Sequence, residues 1–230
     1  MSTLAERLEN VRARITRATK LAKRPLDSVQ LLPVSKTQPI EVLRAAIGLG
    51  LTEFGENYLQ EALDKIQNLP EHITWHFIGP MQSNKTRDIA TYFQWVHSVD
   101  RLKIAQRLSE QRPGSLPPLN ICLQVNISRE SSKSGVLPED ALAVSQVIMR
   151  LPNICLRGLM AIPVPETDTQ RQGQAFRALR ELLIEINSRT DLQMDTLSMG
   201  MSNDLEAAIA QGATIVRIGT DIFGARTKSR

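Results

Sequence analysis

Cysteine, histidine and aromatic side chains are scarce in this chain. It holds two cysteines, three histidines and only 4% aromatic residues among 230. Two cysteines, Cys122 and Cys155, cannot make a disulfide framework, and both sit in apolar runs. They read as buried free thiols, which fits a reducing cytoplasm. His72, His76 and His97 are scattered and have no cysteine near them, so no metal-ligand spacing is present. His76 reads as a strand histidine, while His72 and His97 read as surface or strand-end residues. Few aromatics and no stacking motif argue against nucleic acid, although the formal charge is +4. The basic residues are spread along the chain, and the final "ARTKSR" reads as a solvated tail.

Long apolar runs are also missing. None approaches the roughly 20 residues that cross a membrane. The opening "MSTLAERLENVRARI" has acids, arginines and no apolar core, so it is no secretory signal. No G-x-S-x-G and no early G-x-G-x-x-G appears.

What is present is a regular alternation. Leu4, Leu8, Val11 and Ile15 recur at helical spacing and predict an opening amphipathic helix over residues 3–22. Residues 29–36 predict the first strand. "LTEFGEN", "ITWHFIG", "WVHSV", "LNICLQVNI", "ICLRGLMAI", "DTLSMG" and "TIVRIGT" predict seven more, with helical segments between them. Short continuous apolar strands suit a parallel sheet covered on both faces. The fold class is therefore α/β, and a single (β/α)8 TIM barrel with an extra N-terminal helix matches the strand count and length. An open doubly wound sheet is the alternative. No linker divides the chain, so residues 1–230 are expected to form one domain.

A barrel works at the C-terminal ends of its strands. Those ends offer Lys36, then Asn57, His76, Met160, Ser198 to Ser202, and Arg217 to Thr220. "SMGMSND" and "RIGT" follow the seventh and eighth strands, the pair of loops that often binds phosphate in barrels. Glycines let backbone N–H groups approach an anion, and hydroxyls and helix N-termini add donors. Gly200, Ser202, Gly219 and Thr220 supply these, although Ser202 could serve only as a helix cap. Lys36 ends the first strand on the side of Leu32 and Val34. A partly desolvated lysine is a nucleophilic amine. Beside a phosphate it suits a Schiff base with pyridoxal phosphate or with a sugar phosphate; a solvated or phosphate-pairing cation is the plain alternative. Arg217 lies on the same face as Gly219. It could donate to a pyridine nitrogen and leave it unprotonated, which disfavours strong carbanion chemistry; a salt bridge to a barrel carboxylate is its plain alternative. Met160, Met199 and Met201 read as apolar walls. Lys133, in "SSKSG", reads as a solvated loop lysine near the mouth, a second aldehyde acceptor being the alternative.

These residues lie in "VSKTQP", "FGENYLQEA", "WHFIGPMQSNK", "HSVD", "QVNIS", "KSG", "RGLMAIP", "LSMGMSND" and "VRIGTDIFGAR", in that order. Through these segments the chain resembles the YggS/PROSC family of pyridoxal phosphate homeostasis proteins over nearly its whole length. The resemblance implies a fold-type III barrel similar to that of alanine racemase. It implies that Lys36 carries pyridoxal 5′-phosphate (PLP) as an internal aldimine. It also implies that Ser202, Gly219 and Thr220, with the Met199–Gly200 backbone, hold the phosphate, that Asn57 lies beside the ring and that Arg217 partners its nitrogen. The expected cofactor-binding set is thus Lys36, Asn57, His76, Met160, Ser198, Met199, Gly200, Ser202, Arg217, Gly219 and Thr220, with no catalytic residue and no metal ligand. Alanine racemase adds a β-domain and a tyrosine from a partner subunit. Tyr58 and Tyr92, both placed on helices, offer no such second base. The implied function is vitamin B6 and amino-acid homeostasis in the cytoplasm rather than catalysis, with a weak amino-acid racemase as the alternative. The implied state is a monomer that meets PLP-dependent apo-enzymes transiently, without nucleic acid or membrane.

Overall fold

The computed structural model describes residues 2–130, 132–164, 166 and 168–224, leaving aside the side chains of 169–171. The stretch 225–230, expected to be a solvated tail, lies outside the described residues.

Helix α1 (Leu4–Leu21) begins at a capping box. The Thr3 hydroxyl accepts from the Glu6 N–H, and Glu6 accepts from the Thr3 N–H. Its spacing buries Leu8, Val11, Ile15 and Ala18. There follow β1 (Gln30–Pro33), α2 (Ile40–Gly48), β2 (Glu53–Glu56), α3 (Leu59–Asn68), β3 (Thr74–Phe77), α4 (Thr86–Tyr92), β4 (Trp95–Val99), α5 (Leu102–Gln111) and β5 (Leu119–Gln124). The second half adds α6 (Pro138–Ile148), β6 (Ile154–Met160), α7 (Thr169–Arg189), β7 (Thr196–Ser198), α8 (Leu205–Ala210), β8 (Ile215–Ile218) and α9 (Thr220–Phe223).

Among the described residues the strands form one eight-stranded sheet, all pairs parallel, in the order β1-β8-β7-β6-β5-β4-β3-β2. Its two ends meet through a single bridge between Val34 and Gly55, where the Ser35 N–H donates to the Gly55 carbonyl at 3.0 Å. That closes the barrel and excludes the open sheet. The predicted strands ran two to four residues too long at several ends, because apolar character continues into loops that pack over the barrel mouth. Tyr58 precedes α3 rather than lying in it, and Tyr92 ends α4.

Two layers are buried. Phe54, Trp75, Phe77, Val96, Ile121, Leu123, Leu159, Leu197 and Val216 belong to the apolar layer that includes the helices' buried faces. Alternate positions turn into the barrel. There the side chains are unusually polar: His76, His97, Ser198 and Arg217 are all at most 4% exposed. His97 was expected near the surface and is fully buried. Val96 belongs to the outer apolar layer, so alternation turns His97, the next residue of β4, inward to Ser198; the extra residue that β4 carries against β5 between Val96 and Val99 returns Val99 to the apolar layer. Cys122 is buried as expected, but Cys155 is exposed: Ile154 and Leu156 on either side of it pack on the apolar layer, so alternation turns Cys155 the other way at the open start of β6.

Candidate functional site

A cavity of about 680 Å³ opens at the C-terminal mouth of the barrel. That volume suits a small-molecule site. Six of the expected residues converge on its wall: Lys36, Asn57, Ser202, Arg217, Gly219 and Thr220. Val34, Ile78, Ile162 and Met201 give it apolar surface. Asn203 and Asp204 of "SMGMSND" also line it, as do Glu166 and Gln172, whose part sequence reasoning did not foresee.

The other five expected residues do not line it. His76, Met160 and Ser198 lie below, inside the barrel, each at most 1% exposed. Met199 turns the opposite way, into the apolar layer under the helices, because alternation sends it outward after Ser198. Gly200 holds the loop itself. Its φ is +95°, and a Cβ would stand 2.6 Å from the Ala208 side chain. Only glycine fits that left-handed, close-packed position. Its carbonyl accepts from the Arg217 N–H at 2.9 Å, which ties the loop after β7 to β8.

Lys36 immediately precedes a strained residue. Thr37 has φ +63°, unusual for a β-branched residue, and its N–H donates to Glu61 Oε1 at 2.6 Å. Beneath it lies a buried charge cluster. Lys65 Nζ donates to the Ser35 carbonyl at 2.8 Å and to Glu56 Oε1 at 2.7 Å, and also reaches Glu61. Ser35 Oγ donates to the same Glu56 oxygen at 2.6 Å. Burial pushes the Glu56 carboxyl up and Lys65 pulls it back, with burial the larger effect. The residues on either side of Lys36 are therefore fixed from below.

Arg217 forms the cavity floor. Nη1 donates to Ser198 Oγ at 2.8 Å and Nη2 to the Ala161 carbonyl at 3.0 Å. Burial lowers its pKa to about 10, partly offset by Asp204, so it remains a cation at neutral pH. Asp204 is itself pushed up by burial, and its Oδ1 accepts from the Met201 N–H at 2.6 Å. Asn57 is seated by Gly79, where a Cβ would come within 2.1 Å of the Asn57 carbonyl. The Asn57 amide oxygen is buried without a hydrogen-bond partner among the described residues. An unpaired buried amide oxygen is costly, and a ligand donor in the cavity would relieve it.

α1 braces the two expected phosphate loops from outside. Arg14 donates to Glu206 Oε1 at 2.7 Å and to the Ser202 carbonyl at 2.8 Å, and it also pairs with Asp221. Those partners lie on α8, the loop before it and α9. α8 has six residues and α9 four. Such short helices carry little dipole, so they supply little of the helix dipole expected from the sequence. A smaller cavity of about 270 Å³ shares Asn57, Ile78 and Ile162 with the first and includes Lys133. Lys133 pairs with Glu130 and donates to the Ile162 carbonyl at 3.3 Å. Among the described residues no cluster could hold a metal ion, and no helix is long and apolar enough to cross a membrane.

Comparison with known proteins gives a consistent match. Residues 7–227 match the family described as alanine racemase, N-terminal domain. A Pseudomonas aeruginosa protein named pyridoxal phosphate homeostasis protein is 61% identical over 227 residues, covering 98% of this chain and 97% of its own. The solved structure of PipY from Synechococcus elongatus with PLP bound superposes with a TM-score of 0.83 at 36% identity, covering 96% of this chain and 100% of that one. Alanine racemase from Corynebacterium glutamicum, at 16% identity and a TM-score of 0.69, shares the fold over 95% of this chain and 61% of its own.

Proposed function

This chain belongs to the family of the alanine racemase N-terminal domain and, within it, to the pyridoxal phosphate homeostasis proteins; from that membership we propose that it binds PLP and takes part in intracellular vitamin B6 and amino-acid homeostasis as a carrier. The observation that carries this reading is the meeting of an amine, a cationic donor and two hydroxyl-bearing glycine loops in one cavity.

The residues present fit the group. When bound, PLP supplies an aldehyde carbon that amines attack and a ring that withdraws electrons. Lys36 provides the attaching amine. Ser202, Thr220 and the Gly219 backbone hold the phosphate, with Gly200 shaping the loop beside them. Arg217 would donate to the ring nitrogen, and the Asn57 oxygen, buried without a partner among the described residues, would accept from a ring substituent. His76, Met160 and Ser198 serve from beneath, by packing and through Arg217, rather than by contact.

A non-catalytic role is supported by the cavity wall. Its described residues include no tyrosine and no histidine to move a proton opposite Lys36. A guanidinium keeps the ring nitrogen unprotonated and so weakens the electron sink. The protein works as one domain, in the cytoplasm and as a monomer, and hands PLP to apo-enzymes by transient contact.

The test is an absorption spectrum of the purified protein, followed by PLP transfer to an apo-enzyme with free PLP scavenged. Lys36→Ala should lose both the visible band and the borohydride-reduced covalent adduct. A covalent cofactor retained in Lys36→Ala refutes the assignment. Turnover of any amino acid at about 1 s⁻¹ or faster refutes the carrier role.

A further inference from the structure

A chain of hydrogen bonds runs from the cavity floor through the barrel to its far end. Arg217 Nη1 donates to Ser198 Oγ at 2.8 Å. Ser198 Oγ lies 2.7 Å from His97 Nδ1. His97 Nε2 lies 3.0 Å from His76 Nδ1, and His76 Nε2 lies 3.0 Å from Glu53 Oε2. Glu53 opens β2, at the barrel end remote from the cavity, where Gln30 also bonds to it. The chain touches none of the residues that would hold the phosphate.

Donor and acceptor chemistry fixes its direction. A guanidinium only donates and a carboxylate only accepts. With the Ser198 oxygen accepting from Arg217, its one O–H is available for His97 Nδ1. His97 then carries its proton on Nε2 and gives it to His76 Nδ1. His76 in turn carries its proton on Nε2 and gives it to Glu53. This single assignment satisfies every group with both rings neutral, and each ring's tautomer follows from its neighbour. Burial favours the neutral form of both rings. At His97 the nearby His76 and Arg217 add to that effect, while at His76 Glu53 opposes it.

We propose that Glu53, His76, His97 and Ser198 are positioning residues that hold Arg217 as a fixed donor toward the ring nitrogen of bound PLP, with Glu53 as the counter-charge at the far end. The proposal rests on the PLP reading above. Nη2 is pinned separately by the Ala161 carbonyl, so the guanidinium plane is set at two nitrogens and its remaining N–H groups are left for the cavity. Such outer partners orient a contacting group and tune its electronics, as they do around metal ligands. Other charged groups face the chain. Asp204 lies near Arg217, and Lys36 shares its cavity. Arg157 sits over the Trp95 ring that stacks on His76. Cys122, also facing Arg217, is held as a neutral thiol because burial raises its pKa to about 12.

Ring-nitrogen NMR of the full-length protein tests this, because the chain holds only three histidines and exposed His72 is an internal reference. Without PLP, His76 and His97 should both show the Nε2–H tautomer. Adding PLP should move the His97 and His76 signals and leave His72 still. His97→Leu should shift the pH midpoint of the visible band by about one unit. His97→Gln, whose amide can both accept and donate, should restore it. An Nδ1–H tautomer at either ring overturns the proposal. So does a visible band that forms while His97 stays unmoved, or an unshifted midpoint in folded His97→Leu. If His97→Leu does not fold, Ser198→Ala cuts the same link without emptying the core and must give the same shift. A wild-type protein that forms no visible band refutes the PLP reading instead, and the tautomers of the PLP-free protein still decide the chain.

Discussion

Replacing Lys65 by methionine should destabilise this protein through the charge it leaves behind. Lys65 is 2% exposed and Glu56 0%. Their 2.7 Å contact is the strongest compensation that the Glu56 carboxylate has, since Glu56 Oε2 is buried with no hydrogen-bond partner. Methionine fills nearly the same volume, so cavity formation is minor. Removing one partner of a buried pair costs about 3–5 kcal/mol. For a chain of this size that lowers Tm by roughly 6–20 °C. The second substitution is the control. Glu56→Gln with Lys65→Met removes both charges and keeps an amide for the Ser35 hydroxyl, so most of the loss should return.

The pH dependence has a definite sign. Burial already raises the folded-state pKa of Glu56 above its ordinary value. Without Lys65 it rises further. A carboxyl raised in the folded state favours folding below its unfolded pKa and loses that contribution as pH rises through the folded pKa. The deficit of Lys65→Met should therefore be small near pH 4.5, the ordinary glutamate value, and grow toward neutrality. Thermal melts of wild type, single and double variants across that range decide the matter. A deficit independent of pH, or a double variant as unstable as the single, refutes the reasoning. Because Lys65 also holds the Ser35 carbonyl and Glu61, PLP retention should fall with stability in the single variant.

Thr220→Ala removes a hydroxyl from the cavity wall and should speed PLP release about tenfold, the loss expected for one donor to a charged group, with stability unchanged; release timed by scavenging checks this. Arg14→Ala frees the Ser202 carbonyl, Glu206 and Asp221 at once. It should weaken PLP retention although Arg14 lines no part of the cavity, and an unchanged release rate would sink that link. Cys155 is exposed and Cys122 buried, with burial raising the Cys122 pKa to about 12. One equivalent of thiol reagent should therefore react with the native protein, and two after denaturation; mass spectrometry distinguishes these outcomes.

Residues that act through their own spacing were legible in the sequence. The shared face of Leu32, Val34 and Lys36, and that of Arg217 and Gly219, follows from the two-residue period of a strand alone. So does the meeting of the loops after the last two strands, because adjacent parallel strands of a barrel bring those loops together. The family resemblance then attached a ligand to that geometry.

What the sequence could not decide depends on contacts between distant segments. His97 looked like a surface or strand-end residue, and only the assembly of the barrel brought it against Ser198, 101 positions away. Nothing in the spacing of α1 singles out Arg14, and its contacts exist only because α1 packs against the loop after β7, α8 and α9. Lys65 falls on an ordinary amphipathic helix, and its burial became visible only when Glu56 and the Ser35 carbonyl closed around it. Met199 was expected to offer its side chain as an apolar wall of the site, and its place directly after a three-residue strand sent that side chain outward. Local spacing carries periodicity and turn chemistry, and these determined the elements and the mouth of the barrel. Buried charges need partners, and those partners come from other strands and helices, so only tertiary structure decided which polar residues stand behind the site.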